Sequence, residues 1–355
     1  MRTLRGSLAL ASALAFSAIA GDVPGTAQVP KIGKPIHVPP SKMPPLPPAV
    51  IDNTLAIGGG DINARKDNTR MTVEVRVNGR GPYRFLVDSG ADTSVVGMRI
   101  AREQQLPLGT PAILHATTAS ARVDRVRVNQ LQLGAATIRN LELPALREQD
   151  LGGEGMIGID ALVEQRLMLD FEKRVIKAED ARQPVRMLDG EIVVVARRRR
   201  GQLILTEVKT AGLPVDAVID TGSEITIGNS KLRDKLIRGN RHKFINGTAT
   251  GVTGVTIPLQ LAIIGELRLG SVILRNVPIA FADVPPFTVF DLADEPALLL
   301  GTDLLATFRR VSLDFRARKV RFQLRRCGST GIVLSTSPEN SRTRISSDDV
   351  GVCQR

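Results

Sequence analysis

Aromatic side chains are scarce in this chain, which has no Trp, ten Phe and a single Tyr, Tyr83, among 355 residues. Single-stranded nucleic acid is bound by stacking its bases on aromatic platforms, so no nucleic-acid partner is expected. Sugar sites lean on the same platforms, which disfavours a two-carboxylate glycosidase. Histidine and cysteine are also few. His37, His115 and His242 lie far apart with no pair at helical ligand spacing, and Cys327 and Cys353 are the only thiols. No metal site and no cofactor are therefore expected. After residue 20 no segment approaches the ~20 apolar residues of a membrane-crossing helix, so no integral span is expected once the N-terminal segment is gone. What the chain has in excess is positive charge, with 48 Lys and Arg against 36 Asp and Glu. That balance favours acidic partners, an anionic surface or simple solubility, and is silent on fold.

The ends of the chain read differently from its middle. Residues 1–20 look like a signal peptide: Arg2 and Arg5, then a short apolar stretch, then Ala18-Ile19-Ala20 before Gly21. Export to the periplasm or the exterior follows, with a retained anchor as the other reading. Residues 21–50 hold nine of the 21 prolines and read as a Pro-rich linker, an extended spacer outside any sheet. In an exported chain, an even cysteine count suggests a disulfide between Cys327 and Cys353 that closes the tail at 326–355, with two free thiols as the alternative.

The middle repeats itself. Residues 83–97 (YRFLVDSGADTSVVG) parallel 215–229 (VDAVIDTGSEITIGN), and Asp88 lies 132 residues before Asp220. Residues 131–146 parallel 267–282, the segment around Met156-Ile157-Gly158 parallels Leu299-Leu300-Gly301, and Leu167–Phe171 parallels Val311–Phe315. Matched blocks in one order, repeated only once, mean two lobes and not a solenoid. The division expected is 51–185 for the first lobe and 186–325 for the second. Both read as all-β. Met71, Val73, Val75 and Val77 alternate with polar residues, and Asn78-Gly79 supplies a hairpin turn. Short helices are expected at 98–105, 160–166, 229–238 and 303–308, with Asp160 and Asp303 as N-caps. Arg197 to Arg200 read as a solvated hairpin tip.

Asp-Ser-Gly at 88–90 and Asp-Thr-Gly at 220–222 each follow an apolar strand. Each triplet alone suits a plain turn; two at equivalent places in a duplicated lobe say more. Hydrolysis of a peptide without a metal or a nucleophile needs a base for the attacking water and an acid for the carbonyl oxygen. Two carboxyls a few Å apart share one proton and supply both.

With these motifs the chain resembles the retropepsin-like (clan AA) aspartic proteases, in the bacterial exported form that fuses two lobes, over about residues 70–325. The resemblance implies two pseudo-twofold-related β-barrel lobes with one or two short helices each. It implies an intramolecular dyad of Asp88 and Asp220 in a monomer, acting as an endopeptidase on envelope polypeptides. It also implies crossed hydroxyls from Ser89 and Thr221, close approach at Gly90 and Gly222, and backing of the loops by Ile157-Gly158 and Leu300-Gly301. A non-catalytic peptide-binding or regulatory module on the same fold is the alternative. Flaps are expected at 115–125 and 246–256, and Tyr83 sits too near Asp88 to be a flap tyrosine.

The lobes differ at Ala91 and Ser223. A Ser223 hydroxyl bonded to the carboxylate would place the negative charge on Asp220 and the shared proton on Asp88. Ile159-Asp160 and Thr302-Asp303 stand where viral members carry Arg-Asn, which leaves the support of Asp92 and Glu224 open.

Overall fold

A computed structural model of the protein describes residues 29–39, 60–67, 70–134, 136–161, 165–182, 184, 191–199, 202–237, 244–325 and 333–336. The segment read as a signal peptide, Cys327 and Cys353 lie outside these residues. Among them, no helix is long and apolar enough to cross a membrane.

The first half runs through β1 (Ile36–His37), β2 (Gly60–Asp67), β3 (Arg70–Val77), β4 (Arg80–Val87), β5 (Val95–Gly97), β6 (Ala112–His115), β7 (Ser120–Val123), β8 (Arg125–Leu133), β9 (Ala136–Leu146), β10 (Gly155–Ile157), β11 (Gln165–Asp170) and β12 (Val175–Asp180). The second runs through β13 (Glu191–Arg199), β14 (Gln202–Thr210), β15 (Leu213–Ile219), β16 (Ile227–Gly228), β17 (Ile245–Thr250), β18 (Thr256–Leu269), β19 (Val272–Phe281), β20 (Ala297–Leu300), β21 (Arg310–Asp314), β22 (Lys319–Gln323) and β23 (Val333–Thr336).

The duplication in the sequence is a duplication of strand order. In the first lobe β3, β4, β10, β5, β9 and β8 pair in succession, and β8 returns to β3. In the second, β14, β15, β20, β16, β19 and β18 do the same, and β18 returns to β14. Each lobe is thus a closed ring of six strands, which leaves few free edges. Alternation fills the ring: Val73, Val75 and Val77 are buried while Glu74 and Arg76 face out. The β3–β4 turn takes positive φ at Asn78 and Gly79, as the Asn-Gly pair requires.

A second sheet joins the lobes in the antiparallel order β2–β12–β11–β21–β22–β13. Its centre pairs Met168 with Ser312, so the two Leu-x-Leu-Asp-like blocks lie side by side around a pseudo-twofold axis. Two reciprocal ion pairs flank that axis. Arg166 Nε donates to Asp314 Oδ2 at 3.0 Å, and Arg310 Nε donates to Asp170 Oδ2 at 2.6 Å. Burial pushes the Asp170 carboxyl up, but the Lys173 N–H and the Arg310 guanidinium outweigh it and hold it below the ordinary range. Stranding either buried carboxylate by removing its arginine costs about 3–5 kcal/mol.

Several local expectations change. Helices form at Met98–Glu103 (α1), Ser230–Ile237 (α3) and Thr302–Leu305 (α5), and also at Glu148–Leu151 (α2) and Pro285–Val289 (α4), which were not expected. No helix covers 160–166: a single 3-10 turn spans Ile159–Ala161, and β11 starts at Gln165 because Leu167 and Leu169 are needed in the shared sheet. The Pro-rich linker is not wholly outside a sheet, since Ile36 and His37 pair with Arg122 and Ala121. Arg197 and Arg198 belong to β13 and not to a tip; they are exposed, and Arg197 pairs with Asp216 at 2.5 Å. Within the tail, Val333–Thr336 adds to β19.

Candidate active site

Strands β4 and β15 end in the two Asp-containing loops. Each loop is backed by a parallel neighbour: β10 beside β4 and β20 beside β15. The Asp88 N–H donates to Ile157 O at 2.9 Å, and the Asp220 N–H donates to Leu300 O at 3.0 Å. Gly158 and Gly301 follow directly. A Cβ on either would collide with the backbone of Thr93 or Ile225, so the loops pack on bare backbone.

The loops are tied to each other across the lobes. The Ser89 N–H donates to Thr221 Oγ1 at 2.8 Å, and the Thr221 N–H donates to Ser89 Oγ at 3.2 Å. Each hydroxyl then donates onward to a carbonyl of the opposite lobe, Ser89 to Ile219 O at 3.0 Å and Thr221 to Val87 O at 2.9 Å. This buried, reciprocal set places the Asp88 and Asp220 carboxyls within hydrogen-bonding reach of each other. Both are buried, at 8% and 7% exposure. An inverting glycosidase instead holds its carboxyls roughly 6.5–9.5 Å apart, with a water between them.

Two buried carboxyls this close cannot both ionise cheaply. Burial and the charge of Asp220 push Asp88 up from its ordinary 3.8 to about 8, against donation from the Gly90 and Ala91 N–H groups. Burial raises Asp220 as well, but four contributions oppose it: the Ser223 and Gly222 N–H groups, a hydrogen bond from Asp88, and the positive charge of Arg70. The Arg70 charge favours the negative charge on Asp220. The reason given for that side from the sequence does not hold. The Ser223 hydroxyl donates to Ile225 O at 2.8 Å; its backbone N–H is what reaches Asp220 Oδ1, at 3.0 Å.

Arg70 had no signal in the sequence. It opens β3, and its Nε lies 3.0 Å from Glu224 Oε1 of the other lobe's catalytic loop. The equivalent residue opening β14 is Gln202, fully buried, whose Nε2 donates to Asp92 Oδ1 at 3.2 Å. These two cross-lobe contacts answer what supports Asp92 and Glu224, and only one of them carries positive charge.

Asp160 and Asp303 are not N-caps. The residue before α5 is Gly301, with no side-chain cap. Instead Asp160 accepts from the Ser94 N–H and hydroxyl, both at 2.8 Å, and the Ser94 oxygen in turn accepts from the Gly158 N–H at 3.0 Å. Asp303 repeats this with Thr226, at 3.0 and 2.7 Å, and Thr226 Oγ1 accepts from the Gly301 N–H at 3.1 Å. Each carboxylate clamps the far end of a catalytic loop to its backing glycine. The equal offsets of Ser94 from Asp88 and of Thr226 from Asp220 were the available signal.

A cavity of about 200 Å³ lies over the dyad. Its roof is the β6–β7 hairpin, turning at 116–119, which places the first flap slightly earlier than 115–125. The second flap is the β17–β18 hairpin, turning at 251–255. The tips meet: Gly251 packs against Thr118, and Val252 joins the apolar cluster of Leu86, Val95 and Met156 in the first lobe. Apolar walls and the hairpin roof limit the access of bulk water to the carboxyl pair.

Comparison with known proteins finds two family matches in tandem. A gag-polyprotein aspartyl protease family matches residues 73–164, and a second aspartyl protease family matches residues 206–304. Both are retropepsin-like. No curated protein matches the chain. Each match contains one of the paired aspartates, while β1, Arg70 and Gln202 fall outside both.

Proposed function

The chain belongs to the retropepsin-like aspartyl proteases, carrying two such domains in tandem, and from that premise we propose that it is an aspartic endopeptidase working through Asp88 and Asp220. The observation that supports this reading is the hydrogen-bonded carboxyl pair, held by crossed hydroxyls under a roofed cavity. In this reading the Asp220 carboxylate takes a proton from water as its oxygen attacks the scissile carbonyl, and the Asp88 acid protonates the carbonyl oxygen. The tetrahedral diol then collapses. Asp220 passes its proton to the leaving amine, and the diol returns one to Asp88, which restores the starting pair. Both aspartates come from one chain, so a monomer suffices. The signal-like N-terminus supports action outside the cytoplasm, on envelope polypeptides.

Purified protein is expected to cleave casein between about pH 4 and 7 and to be blocked by a statine-type inhibitor. Intact casein over that range, with peptide still bound, would instead leave a non-catalytic binding module. The charge assignment has its own check. Arg70→Gln removes the cation that favours ionised Asp220, so the acid limb of the pH–rate profile should move to higher pH and activity near pH 4 should fall several-fold relative to pH 6. Arg70→Lys should keep the limb in place, and so should Ser223→Ala. A limb unmoved in Arg70→Gln contradicts the assignment.

A further inference from the structure

Beside the catalytic cavity lies a second one of about 570 Å³. Its outer wall comes from residues that neither family match includes. The strap at 29–39 is fixed at three points: Ile32 is buried in the main core, the Gly33 N–H donates to Asp124 Oδ2 at 2.8 Å, and the Val38 N–H donates to Ser120 O at 2.9 Å. Between the last two, β1 adds a third strand to the flap hairpin, so that His37 and Val38 face lobe two across a gap. The inner wall is apolar, from Val284, Phe287 and Val289. His115 and Val289 line both cavities, so a polypeptide extended through the cleft runs from the dyad into this space.

Lys231 brings a fixed positive charge to this space, and His37 and His115 bring imidazoles; His115 Nδ1 lies 2.8 Å from Ser120 Oγ. The one carboxylate in the lining, Asp283, already accepts from the Ser230 N–H at 2.9 Å. An apolar wall with a lysine beside it suits a ligand with an acidic group next to an apolar one.

We propose that this strap-walled cavity is a substrate-selecting subsite that takes an acidic side chain and its apolar neighbour from an extended polypeptide, outside the scissile pair. The proposal rests on the endopeptidase reading. It makes the 29–39 segment a working wall of the enzyme and not a discarded pro-piece.

The test is a charge scan. Glu, Gln or Lys is placed in turn at each position flanking the scissile bond of one cleaved peptide, and kcat/KM is measured. Wild type should favour Glu over Lys by about tenfold or more at one position. Lys231→Glu should reverse that preference, and His37→Ala should reduce it about threefold, each read as the ratio of Glu to Lys peptide in the same variant. A flat scan in wild type, or a Glu preference that survives Lys231→Glu, overturns the proposal. The same scan read as peptide binding to Asp88→Asn separates the two readings. Binding that follows the charge pattern without any turnover in wild type counts against the endopeptidase reading alone.

Discussion

Asp88→Asn is expected to abolish peptide hydrolysis and, in the same molecule, to stabilise the fold as pH rises. Loss of the general acid should cost at least ~10³-fold in kcat. The stability effect follows from the sign of the shift. The Asp88 carboxyl moves from 3.8 to about 8 in the folded chain, because burial and the neighbouring Asp220 charge disfavour its ionised form. Between those two values the unfolded chain releases this proton and the folded chain keeps it. Folding is therefore penalised progressively, by at most about 1.4 kcal/mol per pH unit. The substituted carboxamide does not titrate, so the penalty disappears. The melting temperature of the variant should match or modestly exceed that of wild type near pH 4, and the gap should widen steadily towards pH 8. Thermal melts across that range check it, and a gap independent of pH would contradict the raised Asp88.

Gly222→Ala is expected to disable the carboxyl pair with a single methyl group. A Cβ at this position would overlap Asp88 Oδ2 and Cγ, far inside van der Waals contact. The carboxyl has little room to retreat, since the Asp88 N–H is fixed to Ile157 O and Oδ1 accepts from the Gly90 N–H at 2.7 Å. Displacement of the acid by about 1 Å costs ~10²-fold or more in kcat. Gly90→Ala presses on the other carboxyl at 2.7 Å from Asp220 Oδ1 and should be harmful but less so. Gly265→Ala is the control, because a Cβ there meets nothing within 4 Å. Wild-type turnover in Gly222→Ala, with the same melting temperature, would contradict the close approach.

Much of this was legible in the sequence because the repeat preserves backbone requirements. Asp88-Ser89-Gly90 and Asp220-Thr221-Gly222 stay recognisable since the hydroxyl, the carboxyl and the missing Cβ each meet the opposite loop. The alternation of β3 and the Asn78-Gly79 turn are local, and local pattern reads well. What escaped was set by tertiary pairing. Arg70 and Gln202 are unremarkable strand-opening residues until the lobes bring them to Glu224 and Asp92. Asp160 and Asp303 sit within short helical turns, so capping was the natural local reading; their true partners lie 66 and 77 residues away. Proline bias hid the strap, whose Ile36-His37 pair needs only the free edge of the flap. Residues 165–166 were expected to be helical, whereas they pair with Asp180 and Glu179 of β12, and Arg166 pairs also with Asp314 of β21 in the other lobe.

The two lobes share a strand order but not a flap, because among the described residues only the first flap carries an added strand from outside the six-strand rings, at Ile36–His37. In an assembly of two identical halves, a bound polypeptide could lie in the cleft N-to-C or C-to-N with equal energy. Here the strap adds a wall beside the first flap, and the second flap has no such added strand among the described residues. The groove thereby acquires a polarity, and one direction of threading differs in energy from its reverse.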